Sequence, residues 1–199
     1  MRKLSLSASQ LALFAGSGRP QGLQYRPDFI PPDQERELIA HIQALPLAPF
    51  QFGQFEGKRR VVSFGHRYDF STQRLEGADP IPGWLTPVVR AIERADSLPE
   101  GSIGHVLVTE YEAGAGIGWH RDKKHFDKVF GLSLASACDF RFRKKIGAKW
   151  TRYTLHAEPR SLYTMAGDSR NDWEHSIESV AERRYSITFR TMAGSHASR

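Results

Sequence analysis

Apolar positions along this chain follow two kinds of pattern, and the change comes near Gly101. Before it, two stretches carry a helical repeat. Leu38, Ile39, Ile42 and Leu45 recur at spacings that gather them on one face of a helix. Pro31-Pro32-Asp33 opens that stretch, with Asp33 placed to cap free backbone N–H groups, and Pro46 closes it. Over about 83–95, Trp84, Leu85, Val88, Val89 and Ile92 form a second apolar stripe. Pro87 falls in its first turn, where a missing N–H costs little, and Pro99 marks the exit.

Beyond Gly101 short β-type runs succeed one another, separated by turn residues: 106–110, 129–136, 140–143, 149–155, 161–165 and 184–191, with 60–64 a further run upstream. No helical pattern separates the later runs, which argues against a parallel α/β sheet. The expectation is a mainly β domain, a sandwich or jelly roll of antiparallel strands, with two flanking α-helices on the outside of one sheet.

Length and composition narrow this to one domain. The chain has 199 residues, 40% hydrophobic and 25% charged, which suits a single globular unit and excludes wholesale disorder. The sequence predicts an N-terminal arm over 1–20, held by Leu11, Leu13 and Phe14, one domain over 21–192, and a frayed tail over 193–199. Serines and a glutamine interrupt the apolar start, so it does not read as a signal peptide. The single cysteine, Cys138, cannot form an internal disulfide and points to a reducing, cytoplasmic setting. No apolar run approaches the roughly 20 residues of a membrane span. Lys plus Arg is 28 against 22 for Asp plus Glu, a formal +6 that suits a polyanionic partner and solubility equally.

The chemistry concentrates in two places. Gly114, Gly116 and Gly118 alternate just before Trp119-His120-Arg121-Asp122. Their spacing is wrong for a dinucleotide fingerprint; they let the backbone turn and deliver His120 and Asp122. These two, one residue apart on an extended chain, point the same way and converge on one point, as a divalent metal requires. Alone, the pair is a weak signal, and a third ligand is needed. His125 is too near, His156 lies in basic surroundings and His196 is in the tail, which leaves His175. Two imidazoles and one carboxylate bind one face of an iron and leave positions open, whereas structural zinc wants four ligands, usually with thiolates. The second place is the run 184–190, where Tyr185, Ile187 and Phe189 face one side and Arg184, Ser186, Thr188 and Arg190 the other. Six residues span about 20 Å, so a small dicarboxylate fits between the two guanidiniums.

Together, Thr109-Glu110-Tyr111, Gly118-Trp119-His120-Arg121-Asp122, the distal His175 and the segment 184–190 resemble the AlkB family of iron(II)- and 2-oxoglutarate-dependent dioxygenases, over about residues 11–192. The last segment is close to that family's R-Y-N-L-T-F-R. The resemblance implies a double-stranded β-helix core over 104–192 and a substrate lid over about 50–75. It implies Fe(II) on His120, Asp122 and His175, with O2 and 2-oxoglutarate as co-substrates. Arg184 would grip the distal carboxylate of 2-oxoglutarate beside Tyr111, and Arg190 would lie near the other carboxylate. Thr109 and Ser186 stand where the family has asparagines, and Lys124 stands where its bacterial repair members have a second acid.

The implied activity is oxidative demethylation of N-alkylated bases in DNA or RNA, releasing formaldehyde, succinate and CO2, by a monomer. The alternative is hydroxylation of another substrate: a modified tRNA nucleoside, a protein or a lipid-like molecule. Phe64, His66 and Tyr68 in the lid offer stacking surfaces for a flipped base, Phe64 being equally readable as core, and Arg170 resembles a substrate-side arginine. Arg141, Arg143, Lys144, Lys145, Lys149 and Arg152 interleave with Phe140, Phe142, Trp150 and Tyr153. Phe140 and Phe142 alternate with the arginines and read as an inward face, which frees the basic residues for phosphates.

Overall fold

A computed structural model describes residues 18–52, 55–69 and 74–193. The predicted contacts of Leu11, Leu13 and Phe14 and the tail beyond Ala193 fall outside those residues. The described chain begins with β1 (Leu23–Arg26), then α1 (Pro32–Gln43), β2 (Ala48–Phe52), β3 (Phe55–Phe64) and the hairpin β4 (His66–Asp69) and β5 (Arg74–Gly77). A 3-10 turn, Gly83–Leu85, leads into α2 (Thr86–Ala95). The second half holds β6 (Ile103–Tyr111), β7 (Ile117–His120), β8 (Phe126–Leu134), β9 (Cys138–Ile146), β10 (Lys149–Ala157) and β11 (Leu162–Met165). A single helical turn, α3 (Asp168–Asn171), then precedes β12 (Glu174–Ile177) and β13 (Arg184–Met192).

These strands make two main antiparallel sheets, the jelly roll expected from the strand pattern. The larger runs β1-β11-β8-β13-β6-β3-β2 and the smaller β10-β9-β12-β7. The larger sheet has two differently used faces because side chains alternate along each strand. Val106, Val108, Phe130, Leu132, Leu134, Tyr185, Ile187 and Phe189 share one core with Leu38 and Ile42 of α1 and Val88 and Ile92 of α2. Tyr111, Val129, Tyr163 and Met165 on the other face join a second core with Phe140, Phe142, Trp173 and Ile177, mostly from the smaller sheet. The helices thus lie outside one sheet, and the space between the sheets is left for the alternate residues of β6, β8 and β13. No helix among the described residues is long and apolar enough to cross a membrane.

One local expectation is corrected. Asp33 does not cap α1: the N-cap position is Pro31, without a side-chain bond, and Asp33 pairs with Arg36 one turn on. Pro32 occupies the first helical position and has no N–H to satisfy, while Asp33 already lies inside the helix. Its charge still favours the N-terminal end of the helix dipole.

Candidate metal and co-substrate site

Two four-residue strands carry the histidines. β7 pairs antiparallel with β12, and His120 stands directly opposite His175. Their ring centroids are 4.3 Å apart. Asp122 lies two residues beyond the end of β7, and one ligand atom from each of His120, Asp122 and His175 falls within 4.8 Å of the others. Of the three preceding glycines, Gly114 turns the chain with φ 83°, while a Cβ at Gly116 would stand 2.7 Å from the Ile177 carbonyl oxygen. Gly116 therefore lets the β7 chain come down onto the end of β12. His120 Nδ1 donates to the Gly118 carbonyl oxygen at 2.9 Å, so Nε2 is the ring nitrogen left for a ligand.

The protonation states suit a cation. Burial pushes the His175 pKa down to about 3, with the charges of His120, Arg170 and Arg190 adding to it and Asp122 opposing. The ring is neutral, which is the ligating form, and its Nδ1 is buried without a hydrogen-bond partner. Burial alone would raise Asp122, but Arg190, His175, His120 and Arg170 outweigh it and hold the carboxyl well below its usual range. Arg190 Nη2 donates to Asp122 Oδ1 at 3.2 Å and Nη1 to His105 Nδ1 at 3.2 Å. His105 is itself pushed down to about 2, by burial first and then by Arg190, so it accepts that bond as a neutral ring. Two imidazoles, that of His175 held neutral, and one ionised carboxylate are the donor set of a facial iron site, and these residues fit it.

A second feature lies on the same inner face. Register sets Tyr111 opposite Arg184, and Thr109 and Ser133 on either side of Ser186. Arg184 is completely buried. Its Nη2 donates to Ser133 Oγ at 3.0 Å, its Cζ sits 5.0 Å from the Tyr111 ring centroid, and its Nε and Nη1 have no partner. A buried guanidinium with two unmet N–H directions is costly in isolation and selects for a bidentate anion. Tyr163 stands close by; burial pushes its phenol up, against the pull of Arg184. The two arginines of β13 are unequal, since Arg190 has spent its fork on Asp122 and His105 and keeps only Nε unmet.

The family model described as the 2OG-Fe(II) oxygenase superfamily matches residues 22–190. An Arabidopsis thaliana protein described as an alkylated DNA repair protein ALKBH8 homolog is 27% identical over 183 residues, covering 78% of this chain and 50% of that protein. The chain belongs to the AlkB family of 2OG-Fe(II) oxygenases. A mouse relative, the tRNA (carboxymethyluridine(34)-5-O)-methyltransferase ALKBH8, is 30% identical over 165 residues, covering 79% of this chain and 24% of that one. This AlkB-family chain thus spans half or less of the length of these relatives. In fold it is similar to the solved structure of OsALKBH1, with a TM-score of 0.70 at 17% identity over 87% of this chain and 97% of that one. It is a 2-oxoglutarate-dependent dioxygenase, and Fe(II), 2-oxoglutarate and O2 are its cofactor and co-substrates.

The residues expected at the substrate side of this AlkB-family site are scattered. Phe64 is a correction: it is buried in the core on the helix-packed face of the larger sheet, the face opposite Tyr111 and Arg184. Side-chain parity along β3 decides this, because Phe64 pairs with Val106. His66 Nδ1 lies 2.8 Å from the Gly104 carbonyl oxygen. The Tyr68 side chain lies outside the described residues. Arg170 is buried, and its guanidinium donates to the carbonyl oxygens of Asp122, Lys123 and Phe126, so it fastens the loop that carries Asp122. Lys124 is exposed on that loop. Sequence reasoning missed Ser133, His105 and Tyr163. Each shares the inner face with Arg184 or Arg190 through strand pairing, which no local pattern displays; the nearest signal is the alternation Val129, Gly131, Ser133.

Proposed function

We propose that His120, Asp122 and His175 hold ferrous iron and that Arg184, with Ser133 and Tyr111, binds the distal carboxylate of 2-oxoglutarate. We infer further that the substrate is nucleic acid and the reaction oxidative demethylation of N-alkylated bases in DNA or RNA. When bound, the iron supplies the O2-dependent oxidation in which 2-oxoglutarate loses CO2 to become succinate and a substrate N-methyl group is hydroxylated and leaves as formaldehyde. The chain's own work is positional. Arg190 and Arg170 fix Asp122 and its loop, the β7–β12 pairing sets the two imidazoles face to edge, and the apolar wall of Phe140, Phe142 and Tyr163 keeps water from the interior.

One observation carries the nucleic-acid reading. Ile146 and Trp150, the exposed large hydrophobics among the described residues, stand at the tip of the β9–β10 hairpin beside exposed Lys145, Lys149 and Arg152. Phe140 and Phe142 of that hairpin are buried, so the basic residues are its wet side. A cationic tip with an exposed indole suits a phosphate strand with bases to stack. The exposed Lys124 favours a second reading, in which a related oxygenase reaction acts on a modified tRNA nucleoside or another substrate.

The test uses iron-loaded protein and 2-oxoglutarate, with oligonucleotides bearing cationic and neutral N-methylated bases. Succinate should form slowly without substrate, and formaldehyde should appear with the methylated strands. His120→Ala and Asp122→Ala should abolish both signals. Succinate with no change in any strand of the panel would overturn the demethylation reading.

A further inference from the structure

Along β3 the basic run Lys58-Arg59-Arg60 divides by strand parity. Lys58 and Arg60 are exposed, and Arg60 is bound to Glu110. Arg59 stands in register with Tyr111, which in turn stands opposite Arg184. Arg59, Tyr111 and Arg184 therefore form one row across the inner face of the larger sheet. The Arg59 guanidinium is partly buried and lies on the Phe50 ring, its Cζ 3.9 Å from the centroid. Stacking occupies one face of that plane and leaves its N–H edge for a ligand. No carboxylate pairs with it among the described residues. Burial lowers its pKa, with Tyr111 opposing and Arg190 adding to the fall.

Among the described residues, the interior holds more cations than anions. Arg59, Arg170, Arg184 and Arg190 lie on one side of the balance, and Asp122 is the carboxylate among them. Exposed Asp127 offsets Arg170 from outside. Ferrous iron and dianionic 2-oxoglutarate cancel each other. Lys124 brings a further cation to the loop beyond Asp122. A positive excess remains around the row of Arg59, Tyr111 and Arg184 among the described residues.

We propose that Arg59, laid on Phe50, is a specificity-determining residue: it selects a base whose reacting part is neutral or anionic, through an acceptor oxygen or carboxylate, and rejects cationic bases. Like charges brought together in a partly buried site cost enough to separate the classes by about tenfold or more. The proposal rests on the nucleic-acid reading above and names the substrate class within it. Atoms balance as in any reaction of this type: one O2 oxidises 2-oxoglutarate to succinate and CO2 and places one oxygen on the substrate carbon.

The test compares matched single strands, in DNA and RNA, carrying 1-methyladenine (a cation), N6-methyladenine (neutral) or 5-carboxymethyluridine (an anion) at one position. Products are read by mass as loss of a methyl group or gain of an oxygen. The wild type should turn over the neutral or the anionic base at least about tenfold faster than the cation. Arg59→Gln should collapse that ratio, Arg59→Lys should keep most of it, and Arg59→Glu should move it toward the cation. Ratios of rates on two substrates are independent of how much of a variant folds, so an unstable variant still answers. Faster turnover of 1-methyladenine by the wild type, or a ratio that Arg59→Gln leaves unchanged, overturns the proposal and spares the nucleic-acid reading. Succinate formation with none of the three strands altered overturns both.

Discussion

At the scale of single residues, Arg184 ties the fold to the chemistry. It is the largest of the fully buried side chains, and its one hydrogen bond goes to Ser133. A buried cation held by one neutral hydroxyl is a stability cost in the ligand-free protein, because desolvation is not returned by a paired anion. In the proposed role of Arg184, that cost is the source of selectivity for an acid. Replacing the fork with a point charge should lose one of two charge-assisted bonds, about 1.5–3 kcal/mol, so Arg184→Lys should raise KM for 2-oxoglutarate by about ten- to a hundredfold. Arg184→Met should abolish 2-oxoglutarate binding yet melt no lower than the wild type without it, since the methionine removes an uncompensated charge from the interior. Succinate formation against 2-oxoglutarate concentration checks the first effect, and thermal melts with and without 2-oxoglutarate check the second. A melt that falls by many degrees in the apo state would show that Arg184 is anchored structurally by more than Ser133.

At the scale of elements, the proposed metal centre depends on two strands of four residues each, β7 and β12, meeting in register at His120 and His175. Their closeness needs Gly116, whose missing side chain lets the chain pass the Ile177 carbonyl oxygen. Gly116→Val should push β7 away from β12 and weaken iron binding by an order of magnitude or more. The core between the larger sheet and its helices should melt nearly unchanged, because Ile177 and Ala115 belong to the second core and not to that one. Titration with Co(II), read by its visible absorption, separates loss of the site from loss of the fold. Helices α1 and α2 and the long strands were legible in the sequence because each carries enough apolar positions to show a period. β7 and β12 were not, since Ile117-Gly118-Trp119-His120 and Glu174-His175-Ser176-Ile177 are too short and too polar to alternate visibly. His120 and Asp122 could be paired by local spacing, and His175 by exclusion and likeness to a family. The partners of the arginines, Ser133 and His105, could not, because they arrive through strand register across tens of residues. Phe64 shows the same limit in reverse: the strand was legible, but which of its faces the helices cover was not.

At the scale of the molecule, the formal +6 is spread unevenly in its availability. In the β9–β10 hairpin, Arg141 is tied to Glu178, Arg143 to Glu174 and Lys144 to Asp172. Arg143 also lies over both Trp119 and Trp150, at 4.4 and 4.5 Å, which leaves the far side of the Trp150 indole outward. The cations left exposed there are Lys145, Lys149 and Arg152. Each phosphate they meet releases counterions, so three contacts on a single strand give a slope of about −2 for log affinity against log salt. Lys145→Glu with Lys149→Glu should flatten that slope by more than one unit and lower affinity at low salt, with little effect at high salt. Trp150→Ala should behave in the opposite manner, losing about 1–3 kcal/mol at every salt concentration and leaving the slope intact, because stacking releases no ions. Fluorescence anisotropy of labelled single strands between low and high salt distinguishes the two signatures. If both variants change slope and intercept alike, or the wild type shows no salt dependence, the hairpin does not hold the strand by phosphates and an exposed indole, and the nucleic acid must be met elsewhere on the domain.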